Sequence, residues 1–157
     1  MPIILARIDD RLIHGQVTEG WCSKLKPRFV LVVSDEVASS DWQSELCLAS
    51  LPCCFEGKVS GIEEAPAIIN ELESDSRSSY VLFESPRDAF RVIERGATIR
   101  KLNVGGMHST RGKREILDYI FVDEEDALYL RQIVRMGVAL DFRDLPDHED
   151  VDVMSRL

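Results

Sequence analysis

The sequence predicts an α/β fold: an open, mainly parallel sheet with helices on both faces, in a single domain over residues 1–157. Three observations carry this. Apolar runs of strand length recur along the chain and are near-continuous, as in strands buried on both faces. Between them lie segments with apolar residues at helical spacing, so strands and helices alternate. The chain has 157 residues, enough to bury a core and few enough for one domain.

Residues 2–8 form the first apolar run, and 9–14 a polar loop. From Gly15 the period changes: Val17, Trp21 and Leu25 recur every fourth residue, one face of a helix that Pro27 ends. Residues 28–34 make the next strand. Ser39, Ser40 and Asp41 offer caps for a helix running to about Ser50, which Pro52 stops. A short strand is expected around Val59. Ile62, Ala65, Ile69 and Leu72 trace a helical face, with Pro66 near its first turn. Residues 74–79 read as a surface loop and Tyr80 to Phe83 as a strand. Ser85-Pro86 opens a helix that Gly96 closes.

Ile99 to Val104 reads as a strand broken by Gly105-Gly106, and residues 107–114 as a basic, glycine-bearing loop. Ile116 to Val122 reads as a further strand. Asp123 caps the best-marked helix: Glu124, Glu125 and Asp126 fill its first turn, and Arg131 and Arg135 lie toward its end. Acid first and base last complement the helix dipole. Gly137 follows, Val138 to Phe142 is the last strand, and residues 146–157 are a polar tail that docks or frays.

Composition narrows the function. The net charge of −9 disfavours nucleic acid and anionic membrane as general partners. No apolar run approaches the roughly 20 residues of a membrane span, and no signal-peptide pattern opens the chain. Cys22, Cys47, Cys53 and Cys54 lack zinc-ligand spacing and read as reduced thiols in the cytoplasm.

The chemistry concentrates in Ile8-Asp9-Asp10-Arg11-Leu12-Ile13-His14-Gly15-Gln16-Val17. His14 sits just ahead of a helix, where free backbone N–H groups attract anions. Gly15 leaves room for an anion to approach the backbone. Arg11 and Arg7 supply paired donors that match phosphate oxygens. Asp9 or Asp10 would accept a bond from one imidazole nitrogen, leaving the other as nucleophile. In open α/β sheets such loops lie beyond the carboxyl ends of strands. The sequence therefore predicts that loops 9–14, 84–86 and 105–114 converge there.

Ala6 to Val17 closely resembles the opening motif of the IIB components of the bacterial phosphotransferase system, mannose/fructose/sorbose family. The likeness continues in Val33-Ser34-Asp35-Glu36-Val37-Ala38, in Leu102-Asn103-Val104-Gly105-Gly106-Met107 and in Val122-Asp123-Glu124-Glu125-Asp126. The resemblance implies a protein-Nπ-phosphohistidine–sugar phosphotransferase. Its IIB subunit takes a phosphoryl group from the phosphohistidine of a IIA protein and passes it to a sugar held by membrane IIC and IID components. His14 falls on the phosphorylated histidine, with Nδ1 the carrier atom. Arg7, Asp9, Arg11 and Gln16 fall on positions around it, with Gly15 beside the phosphate.

The resemblance implies no metal and no organic cofactor. It implies a cytoplasmic protein in peripheral association with a membrane transporter, and specifies neither a sugar nor an oligomeric state. In such a transfer Arg11, Arg7 and backbone N–H groups would steady the phosphoryl oxygens. An acidic chain must meet acidic partners through a local basic surface, for which Arg111, Lys113 and Arg114 are the candidates. His108 would assist or shield the phosphate, and Ser34 and Asp35 would flank the site.

Glu84 departs from the family pattern, which often has a basic or neutral residue there. Ser109 and Thr110 make the 107–114 loop unlike the family's. These departures leave a second reading, a regulatory phosphocarrier that acts by protein contact and moves no sugar. A third, a metal-dependent hydrolase, would use Asp9, Asp10, His14 and His108.

Overall fold

The computed structural model describes residues 3–52 and 55–157. Residue 2 of the first apolar run, and Cys53 and Cys54, lie outside the described residues. The apolar runs become β1 (Ile3–Asp9), β2 (Phe29–Val33), β3 (Glu56–Ser60), β4 (Ser79–Phe83), β5 (Lys101–Gly106) and, after a hairpin of β6 (Arg114–Leu117) and β7 (Ile120–Val122), β8 (Ala139–Asp141). Six of these strands form one parallel sheet in the order β3-β2-β4-β1-β5-β8.

Alternation along each strand feeds two cores, because successive side chains leave a strand on opposite faces. Leu31, Val33, Val81 and Phe83 face one way, and Val30, Val32, Tyr80 and Leu82 the other. The first face is covered by α4 (Ala65–Ser74), α5 (Pro86–Glu94) and α6 (Glu124–Arg135) through Ile69, Leu72, Val92, Leu130 and Ile133. The second is covered by the segment after β1, through Val17, Trp21 and Cys22. Helices therefore lie on both faces, as predicted.

Local chemistry sets the helix limits. Ser40, Ser85 and Asp123 each accept a backbone N–H at the start of a helix, and Asp123 with Asp126 makes a reciprocal capping box. The segment after β1 opens as a π-helical turn, Gln16–Trp21, before α1 (Cys22–Leu25). Lys26, at φ 48°, ends it ahead of Pro27. An unpredicted short helix, α2 (Asp35–Ala38), precedes α3 (Asp41–Ala49). The tail docks: Val153 is fully buried, and Arg156 bonds the Ile116 carbonyl at 2.8 Å.

Two expectations are corrected. Gly105-Gly106 does not break β5, which runs through both, with Gly106 paired to Asp9. These glycines give room to their neighbours. A Cβ on Gly105 would lie 1.9 Å from the Arg7 guanidinium carbon, and one on Gly106 2.8 Å from an Asp9 carboxylate oxygen. Residues 116–122 are not one strand. β6 and β7 pair antiparallel, Leu117 opposite Ile120, around Asp118-Tyr119. The turn lacks the glycine that marks most two-residue hairpins. Met107 pins the hairpin to the sheet: its N–H donates to the Tyr119 carbonyl at 2.9 Å, and its carbonyl accepts the Phe121 N–H at 3.0 Å.

The strand order positions the site. From β1 the chain crosses to β2 beyond β4, and from β4 it crosses over β1 to β5. Connections thus diverge around β1, and a crevice opens at its carboxyl end.

Candidate active site

β1 ends by burying two opposite charges. Arg7 and Asp9 are both 0% exposed and meet at 3.0 Å. An isolated charge there would be very costly, so each needs partners; of the buried side-chain nitrogen and oxygen atoms among the described residues, Arg7 Nε alone has none. Arg7 donates to the Asn103 side chain at 2.7 Å and to the Asp144 carbonyl at 3.0 Å, and its guanidinium lies 5.4 Å from the centre of the Trp21 ring. Burial lowers the Arg7 pKa from its ordinary value, and Asp9 opposes that.

Asp9 gathers the donors of the loop. His14 Nε2 lies 2.8 Å from its Oδ2, and the Arg11 backbone N–H and Nε donate to its Oδ1 at 3.1 and 3.2 Å. Burial pushes the Asp9 carboxyl up, but the bonds from His14 and Arg11 and the charge of Arg7 outweigh it. The net pKa lies well below the ordinary carboxylate range. An ionised Asp9 only accepts, so Nε2 carries the imidazole proton. Nδ1 is then an acceptor, and it receives the Gln16 backbone N–H at 3.2 Å. The sequence left Asp9 and Asp10 open as the imidazole partner; Asp9 fills that place.

The loop holds this shape through its neighbours. Leu12 adopts φ 58°, costly for a leucine. Its side chain and that of Ile13 are buried in the second core, which offsets the strain. Arg11, between Asp10 and Leu12, stays 37% exposed and bridges Asp9 to the Gln16 side chain at 2.8 Å. Gly15 borders open space, since a Cβ there would meet nothing within 4 Å.

The three loops do converge. Arg11 and Gln16 share a cleft of about 410 Å³ with Gly106, His108 and Ser109, and Arg11 shares a groove with Glu84. Asp10 holds the 107–113 loop by accepting the His108 backbone N–H at 2.7 Å and pairing with its ring.

Several candidates take other places. Arg7 is too deeply buried to touch an anion above the ring; it anchors Asp9 from below. Lys113 pairs with Asp126 at 2.9 Å and Arg114 bonds the Arg156 carbonyl, so local contacts engage both, while Arg111 is exposed. Ser34 caps α2 and donates to Glu84 at 2.9 Å, and Asp35 accepts the Ile62 N–H at 2.8 Å. Both serve the fold at the site's margin. The bond from Ser34 also accounts for one oxygen of Glu84. Asp9 and Asp10 serve different histidines, and among the described residues no group of three His, Cys, Asp or Glu side chains could hold a metal ion. Neither Cys22 nor Cys47 is in a disulfide.

Sequence reasoning read Trp21 only as part of a helical face and Asn103 only as part of a family motif, and gave neither a role at the site, where both hold Arg7. Asn103 was legible as a polar residue within a buried strand, which needs partners. The Asp144 carbonyl left no side-chain signal at all.

The space above Arg7 can be tested directly. Gly105→Ala should lower stability by about 1–3 kcal/mol, as overpacking does, read as a fall in Tm. An unchanged Tm would mean that the guanidinium has room to move.

The family described as "PTS system sorbose subfamily IIB component" matches residues 3–157. The chain is 31% identical to the sorbose-specific EIIB component of Lacticaseibacillus casei, over all of this chain and 96% of that protein. It is 32% identical to the mannose-specific EIIAB component of Escherichia coli strain K12, covering all of this chain and half of that protein. The crystal structure of the IIBSor domain of the Klebsiella pneumoniae sorbose permease superposes with a TM-score of 0.89 at 30% identity, covering 99% of this chain and 96% of that one.

Proposed function

Since this chain belongs to the family of sorbose-subfamily IIB components of the phosphotransferase system, we propose that His14 is its phosphoryl carrier. On this reading His14 takes the group from a IIA phosphohistidine and hands it to a sugar at membrane IIC and IID components. The observation that carries the reading is the ring's orientation: Nε2 tied to a buried carboxylate, Nδ1 turned to a backbone N–H beside Arg11.

The chemistry follows from that geometry. The Nδ1 lone pair attacks phosphorus in line as the donor's N–P bond breaks, and the electron pair returns to the donor imidazole. The His14 ring gains positive charge, which ionised Asp9 stabilises through the Nε2 proton. Arg11 and the Gln16 N–H, released from Nδ1, neutralise the equatorial oxygens. In the second step a sugar hydroxyl oxygen attacks phosphorus, the Nδ1–P bond breaks with its electron pair returning to the His14 ring, and the hydroxyl proton passes to water. Arg7 acts at one remove by holding Asp9. His108 and Asp10 hold the loop that walls the cleft.

Relatives are named for sorbose, fructose, mannose and N-acetylgalactosamine, so the family does not single out one sugar. The mannose relative is an EIIAB component, which supports a IIA protein as the direct donor. No helix among the described residues is long and apolar enough to cross a membrane.

The test is incubation with a phosphorylated IIA protein followed by intact-mass measurement. One added phosphoryl group is expected, labile to acid and stable to base, on His14. Label on any other residue would overturn the assignment.

A further inference from the structure

Helix α3 is built with its largest apolar side chains facing out. Trp42 is 69% and Leu46 56% exposed, the two highest values among the described large hydrophobics. Four residues apart, they share one face of the helix. No residue of α3 is buried. Beside this face runs a groove of about 300 Å³, lined on its apolar side by Leu12, Ile13, Val37 and Cys47 and carrying Arg11 and Glu84. An exposed apolar patch of this kind next to a reactive site marks a contact surface.

Charge distinguishes this approach from the other. Glu36 and Glu84 line the groove, and Asp41 and Glu45 are exposed on α3; Arg11 is the one cation of the lining. The cleft on the far side of Arg11 is lined by His108, which pairs with Asp10, and by Asp118, while Arg111 is exposed on the same loop as His108. The site thus has an acidic, apolar approach and a less acidic one.

Resting on the phosphocarrier reading above, we propose that the α3 groove docks the membrane-embedded sugar carrier, through a cytoplasmic segment that sets an apolar residue among lysines and arginines. Cytoplasmic segments of membrane proteins are enriched in lysine and arginine, which the acidic rim complements. Anionic lipid would be repelled by the same rim, so a protein segment fits where a bilayer does not. The groove shares Arg11 with the phosphate site, so an occupant seated there meets a side chain that also faces the phosphate. Large aromatic side chains such as Trp42 commonly dominate such contacts. The less acidic approach past His108 is left for the phosphohistidine donor.

The test uses the intact protein and Trp42→Ala/Leu46→Asp. Both positions are exposed, and an unchanged Tm checks the fold. Inverted vesicles carrying the sugar-transport membrane components are compared with vesicles of the same anionic lipids alone. The variant should need at least a tenfold higher concentration to half-saturate sugar phosphorylation, at the same maximal rate. Its uptake of phosphate from the IIA donor should be unchanged. Glu36→Gln/Glu84→Gln should weaken docking several-fold and flatten its salt dependence.

An unchanged half-saturation would overturn the proposal. A slowed donor step with normal vesicle transfer would assign the groove to the donor instead. Wild-type binding to lipid alone, or a dimer that the variant abolishes, would assign it to the bilayer or to a second copy. Vesicle co-sedimentation needs no phosphate. It reads docking even if His14 takes up none, so a failure of the phosphocarrier reading is seen separately.

Discussion

His14→Ala takes up no phosphoryl group from the donor, and Asp9→Asn, which leaves the imidazole in place, slows uptake by roughly 10²–10⁴-fold, the usual worth of a positioned acid–base partner. The second result is the more informative. The two Asp9 oxygens receive Arg7, His14 and three donors of Arg11. An asparagine offers one acceptor oxygen and an NH₂ that cannot accept, so this set cannot be kept. If the NH₂ faces Nε2, the ring proton moves to Nδ1 and the nucleophilic lone pair is lost. If the oxygen faces Nε2, the tautomer survives but the charge that steadies the phosphorylated ring does not. Nitrogen-15 chemical shifts of His14 separate these cases, and stopped-time phosphorylation assays give the rate. A variant as fast as wild type, with the wild-type tautomer, would remove Asp9 from the mechanism.

The sequence exposed some of this arrangement and hid the rest for physical reasons. Strand and helix positions followed from apolar spacing, because both faces of the sheet are covered and each face leaves its own period. Helix starts were legible where Ser85 and Asp123 cap them, since capping is local. The site loop was legible through its residue types, and the family resemblance fixed the residue to watch. Which carboxylate meets His14 was not legible, because Asp9 and Asp10 are adjacent and point to different histidines only once β5 lies alongside β1. Gly105-Gly106 misled for the same reason. Glycine in isolation signals a turn, and only the neighbouring strand shows that these two make way for Arg7 and Asp9. Arg7 was placed with the phosphate by its charge, while its burial depends on Trp21, Asn103 and the Asp144 carbonyl, all distant in sequence.

Arg7→Met carries the largest expected loss of stability. Its aliphatic body still fills space under Trp21, but Asp9 loses the cation it meets at 3.0 Å, and the Asn103 oxygen loses its donor. Breaking a buried pair from one side costs about 3–5 kcal/mol, which for a chain of this size is roughly 10 °C in Tm. Arg7→Lys should recover part of this, keeping the charge without the fork of donors. The pH dependence identifies the cause. Asp9 is depressed in the folded state, so its contribution is complete above the unfolded carboxylate pKa of about 4 and is lost as pH falls through the folded value. Without Arg7 one source of the depression is gone, so the contribution is smaller and its loss begins at higher pH. The Tm gap between wild type and Arg7→Met should therefore be widest above about pH 4 and narrow in stronger acid. A gap that stays constant across that range would mean that Arg7 stabilises the fold by packing alone, and that Asp9 owes its charge to His14 and Arg11.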